Sequence, residues 1–117
     1  MRHLISACIL VLLATPAVAQ DFSTVEQEDS FKSLVDGRDL TRFGITVNVT
    51  PDGRIKGRAF GRDVTGAWSW NAGYFCRDLF WGARDLGPNC QMVKIQGNTI
   101  RFISDKGTGQ FADLVLR

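Results

Sequence analysis

Between residues 43 and 116 the chain is cut into short alternating segments by turn signals roughly every ten residues. That rhythm constrains the fold more than any other feature. Phe43, Ile45, Val47 and Val49 alternate with Gly44, Thr46, Asn48 and Thr50, so one face of an extended segment is apolar. Pro51-Asp52-Gly53 ends that segment, because proline presets φ and glycine accepts a positive one. Further strands are expected over 54–60, 65–70 and 74–81, with Asn71-Ala72-Gly73 turning the third into the fourth. Residues 82–88 form a loop rich in glycine, proline and charge. Strands over 90–95, 99–104 and 111–116 follow, joined by a Gly97-Asn98 hairpin turn and by Lys106-Gly107-Thr108-Gly109. The pattern predicts an all-β fold. It is a small antiparallel meander of about seven strands forming a closed or partly open barrel, since closure removes the exposed edges of so many short strands.

The N-terminus sets the compartment. Met1, Arg2 and His3 precede an apolar run over 4–14, and Ala17-Val18-Ala19 is the small-x-small pattern cut by a signal peptidase. Residues 1–19 read as a signal peptide cleaved between Ala19 and Gln20, so the protein is expected in the periplasm or secreted. Ile5-Ser6-Ala7-Cys8 superficially matches a lipid-attachment motif, but the apolar run continues beyond Cys8 instead of ending there. No later segment approaches the length of a membrane-spanning helix, so no transmembrane segment is expected in the mature chain.

Cleavage removes His3, the only histidine, together with Cys8 and Arg2. Of 14 basic and 12 acidic residues, 13 and 12 remain, a net charge near +1. Such a balance argues against general polyanion binding, and nothing matches a nucleic-acid module. The two remaining cysteines, Cys76 and Cys90, are expected to form a disulfide in an oxidising compartment. Residues 20–28 are polar and aperiodic, a flexible lead-in before a single domain over 29–117. Within that domain Asp29-Ser30 followed by Phe31, Leu34 and Val35 predicts one short helix ended by Gly37, suited to plugging a barrel end.

Aromatic residues are densest over 68–81. Trp68 and Trp70 share one strand face; Tyr74, Cys76, Asp78 and Phe80 share a face of the next strand, and Phe75, Arg77, Leu79 and Trp81 share the other. Both faces of this hairpin are aromatic, more than one small core requires. Trp68, Trp70, Tyr74, Phe80 and Trp81 are therefore candidates for contact with a ligand or partner. Arg54, Lys56 and Arg58 form a basic stripe continued by Arg62, and Arg58, Arg77 and Asp78 join the candidate site, with an inward Asp78 needing an arginine partner. The glycine spacing over 53–62 fits neither phosphate-loop pattern, and is expected to serve bends and bulges. No carboxylate spacing selects a metal, and no histidine is left as a general base, so no catalytic residue, metal or cofactor is expected. An enzymatic reading would have to rest on Asp78 with Tyr74 or the arginines.

Leu40-Thr41-Arg42-Phe43-Gly44-Ile45, Gly57-Arg58-Ala59-Phe60-Gly61, Gly66-Ala67-Trp68-Ser69-Trp70 and Gly73-Tyr74-Phe75-Cys76-Arg77, with the later Cys90, carry a resemblance. In these pieces the chain resembles a family of small, exported, uncharacterised alphaproteobacterial proteins, some of which bear the name dihydrodipicolinate reductase. Such a reductase needs a Rossmann-type nucleotide domain and a substrate domain. A mature chain of about 98 residues with no βαβ pattern holds neither, and that name is read as a misannotation. More loosely, Gly66-Ala67-Trp68 is similar to the Gly-x-Trp of calycin-type barrels.

The expected function is therefore that of a non-enzymatic exported barrel, monomeric, binding a small apolar or amphipathic ligand or an envelope component. The alternative is a protein-interaction module, such as a periplasmic hydrolase inhibitor or accessory subunit, with the lead-in inserted into a partner's cleft.

Overall fold

A computed structural model describes residues 21–117. The expected signal peptide, 1–19, its cleavage point and Gln20 lie outside the described residues. The elements run β1 (Ser23–Val25), α1 (Glu28–Val35), β2 (Leu40–Arg42), β3 (Ile45–Thr50), β4 (Arg54–Ala59), β5 (Arg62–Asn71), β6 (Tyr74–Trp81), β7 (Arg84–Asp85), β8 (Asn89–Gln96), β9 (Thr99–Ile103), α2 (Ser104–Gly107) and β10 (Phe111–Leu116). β2, β3, β4, β5, β6, β8, β9 and β10 pair antiparallel in chain order and close into an eight-stranded barrel. The all-β barrel expected from the alternation is thus the fold. Among the described residues no helix is long and apolar enough to cross a membrane.

Local chemistry explains both the agreement and the differences. Phe60 and Gly61, and again Ala72 and Gly73, have positive φ, the backbone that a two-residue hairpin needs to match strand twist. Phe43 is not on a strand. It sits with Gly44 in the β2–β3 turn, 93% exposed, and the Phe60 N–H donates to the Gly44 carbonyl at 2.8 Å. β2 escapes sequence detection because three residues are too few to show a period. Gly57 and Gly66 lie where a Cβ would come within 2.2 Å of a carbonyl oxygen on the neighbouring strand, Thr46 and Asp78 respectively. Only glycine lets the sheet bend this tightly.

The lead-in requires correction. Its described part is not loose: Ser23, Thr24 and Val25 pair with Ile95, Lys94 and Val93 of β8, and Val25 is buried. Its polarity misleads because one inward valine suffices to anchor a three-residue edge strand. α1 begins at Glu28 with Gln27 as its N-cap, so Asp29 and Ser30 lie in the first turn instead of capping it. The helix does plug the barrel. Phe31 is fully buried, 5.2 Å from the Trp68 ring, 5.0 Å from Trp70 and 5.1 Å from Phe75. Trp70 Nε1 donates to the Glu26 carbonyl at 3.2 Å, tying the plug to the wall.

One seam of the barrel is short. β6 meets β8 through three pairs only, Phe75 with Gln91, Cys76 with Cys90 and Arg77 with Asn89. Beyond them β8 takes β1 as its neighbour, and the far end of β6 takes β7. The Cys76–Cys90 disulfide crosses the middle of this seam.

Candidate functional site: an apolar cup at the open end

A meander sends alternate connections to opposite ends. The turns at 51–53, 72–73 and 97–98 share the end filled by α1 and its aromatic cluster. The turns at 43–44 and 60–61 and loop 82–88 lie at the other end, and segment 104–110 folds against the outer side of the seam, where Asn89 donates to Asp105 at 2.9 Å. At that other end the interior is not filled. A cavity of about 400 Å³ opens among side chains from all eight barrel strands, including Ile45, Val47, Ile55, Val64, Leu79 and Leu114. Strand alternation places these residues inward, and outward neighbours such as Thr46, Lys56, Thr65 and Asp78 face solvent.

Two cationic side chains, Arg42 and Arg77, line the cavity, and no carboxylate does. Arg77 alternates inward with Phe75, Leu79 and Trp81 on β6 and is half-buried. Its Nη1 donates to the Gly87 carbonyl at 2.8 Å. It takes no part in the ion pairs found among the described residues. Burial pushes the Arg77 pKa below its ordinary value, and the negative charge of Asp78 partly opposes this. Gln91 is the one buried polar residue among those described; it also lines the cavity and donates from Nε2 to Ser104 Oγ at 3.2 Å. At the mouth, Trp81 donates from Nε1 to the Ala59 carbonyl at 2.8 Å and lies under the Arg62 guanidinium, 4.7 Å from the ring centre. Phe60 and Leu86 form an exposed apolar part of the rim.

The structure separates the residues expected to act together. Arg77, Phe80 and Trp81 line the cup. Trp68 and Trp70 point inward at the closed end and pack on Phe31, so they belong to the plug. Trp68 also donates to the Thr50 carbonyl at 2.8 Å. Tyr74 and Asp78 alternate with the inward residues and so lie on the outer face, Tyr74 beneath Lys106 with Nζ 5.6 Å from the ring centre. Arg58 is outward and exposed, donating to Asp63 at 2.8 Å and to the Gly61 carbonyl at 2.6 Å. Its β4 neighbours Arg54 and Lys56 are likewise exposed, so the basic stripe is a solvated outer face. Sequence reasoning missed most of the lining, including Arg42, Val47, Leu79, Gln91, Ala112 and Leu114. The parity of Ala112, Leu114 and Leu116 against Phe111, Asp113 and Val115 was the available signal.

A second, wider depression of about 800 Å³ runs outside the seam past Arg77, Asp78, Asn89, Asp105 and Lys106, so Arg77 borders both spaces. It is larger than the cup but open to solvent and more polar, so it offers little desolvation to a ligand. Among the described residues no three histidine, cysteine or acidic side chains are grouped to hold a metal.

Fold and site together define a class: an eight-stranded up-and-down barrel plugged at one end and hollow at the other. No family model, no curated protein and no solved structure matches this chain.

Proposed function

We propose that this is a non-enzymatic exported binding protein that takes one small apolar or amphipathic molecule into the cup. The apolar cavity at the unplugged end carries this reading. Its size lies within the range of roughly 300–1,000 Å³ typical of small-ligand sites, and its wall is mostly hydrophobic with a few polar groups to orient a guest. The disulfide supports an oxidising destination. Native mass spectrometry of protein taken from its own cell envelope tests the reading. A discrete non-covalent adduct of small-molecule mass is expected. A uniformly bare chain that also fails to bind added apolar compounds would overturn it.

A second reading, that of an interaction module, draws on Phe43 and Phe60, 93% and 64% exposed on adjacent turns of the rim. Insertion of the lead-in into a partner's cleft is not part of it, because Ser23–Val25 are already paired to β8.

A further inference from the structure

Resting on the binding function above, we propose that the guest is an amphipathic anion with an aliphatic chain and a carboxylate-type head, the head held by Arg77. The cup presents two guanidinium groups and no acid to its contents. A neutral guest would leave the half-buried Arg77 with the Gly87 carbonyl as its one hydrogen-bonded partner among the described residues. A carbonyl is a dipole, not a counterion. An arginine presents five N–H donors, and a carboxylate accepts two of them side by side. Arg77 is half-buried and also borders the open outer depression, so partial burial strengthens such a pairing only part of the way from its surface value. Gln91, which pairs with Phe75 on the neighbouring strand two positions from Arg77's own partner Asn89, adds an amide to the lining.

The apolar chain has a separate place. Ile45, Val47, Ala59, Val64, Leu79 and Leu114 line the cup without polar atoms in their side chains. An aliphatic chain loses water there at no hydrogen-bonding cost. Arg42 marks the other cationic wall position, on β2 at the mouth, where it is exposed and screened by water. The deeper of the two cations is therefore assigned to the head, and Arg42 to steering the anion inward.

The test separates this inference from the function on which it rests. Purified protein is loaded with the uncharged fluorescent probe N-phenyl-1-naphthylamine. Decanoate, 1-decanol and decyltrimethylammonium then compete for it at pH 7, the two ions below their micelle concentrations and the alcohol below its solubility. Decanoate is expected to displace the probe at least about tenfold better than 1-decanol, the scale of one charge-assisted hydrogen bond. The ammonium compound should be the weakest. R77Q should remove the preference for the acid while leaving 1-decanol unchanged, and R42Q should reduce it only slightly. Equal displacement by acid and alcohol in the unaltered protein overturns the anionic head but leaves the binding function standing. That comparison needs no variant, so misfolding of R77Q cannot rescue the proposal. If neither probe nor decanoate binds, the function and the inference fall together.

Discussion

The barrel closes at β6–β8 through three residue pairs, so its disulfide should matter more than an ordinary surface staple. Replacing both cysteines, C76A together with C90A, removes the covalent link and leaves only those pairings and the contacts of loop 82–88. The cysteines are 14 positions apart, and a loop of about 15 residues cross-linked in the unfolded chain is worth about 3 kcal/mol. A domain of this size has roughly 5–15 kcal/mol of total stability, so the loss is a large share. With a urea slope of about 1–3 kcal/mol per molar, the midpoint should fall by about 1–3 M. Tryptophan fluorescence reports the transition, because Trp68 and Trp70 lie in the plugged core. The slope should stay unchanged if the fold does. Opening of the seam should also expose 82–88 to protease well below the global transition. A midpoint shift under about 0.3 M would instead show that hydrogen bonding and packing hold the seam unaided.

Phe31→Ala should cost about 3–5 kcal/mol, since the ring is fully buried among Trp68, Trp70, Phe75 and Phe102; calorimetry should show a collapse of Tm. Arg101 holds Asp113 through two hydrogen bonds, at 2.7 and 2.9 Å, while Phe22 and Phe111 cover the guanidinium from 4.0 and 4.1 Å. The Arg101 hydrogen bond, with the charges of Arg101 and Arg42, keeps the Asp113 carboxyl below its usual pKa. A depressed carboxyl contributes stability above its unfolded pKa and loses it as pH falls through the folded one. Asp113→Asn should therefore cost up to about 1 kcal/mol at neutral pH, discounted for partial exposure, with the gap from the unaltered protein closing below about pH 4. A gap that stays constant from pH 7 to pH 2 in urea titrations would contradict this assignment.

The barrel was legible because its hairpins carry period-two alternation and turn chemistry that few other conformations satisfy. Val47, Val49, Ile55 and Val64 announce their face, and Asn71-Ala72-Gly73 announces its turn; Phe60, expected within a strand, instead forms with Gly61 a hairpin turn with positive φ at both residues. The three-residue strands were not legible, because Ser23–Val25 and Leu40–Arg42 are held by pairing partners far away in the chain. The site was legible only in part. Parity correctly put Arg77 and Trp81 on one face and Asp78 and Tyr74 on the other, but parity alone does not say which face is inside. Nor does it say at which end of the barrel a residue sits. Trp68 and Trp70 share their inward parity with Val64, and only the position of α1 assigns them to the plug while Val64 lines the cup. Leu114 was readable from the parity of its strand, whereas Gln91 lacked any local signal and emerges only from closure.

The most direct measurement is a titration of N-phenyl-1-naphthylamine into the unaltered protein, Ala112→Trp and Asp78→Asn. Ala112 lines the cup and Asp78 lines the outer groove, so the first variant fills the cavity and the second leaves it alone. Saturable, one-to-one, blue-shifted emission is expected in the unaltered protein. Asp78→Asn should retain that signal, and Ala112→Trp, still folded by circular dichroism, should lose it. Binding that survives in Ala112→Trp, or emission that never saturates in the unaltered protein, would contradict a ligand site inside the barrel.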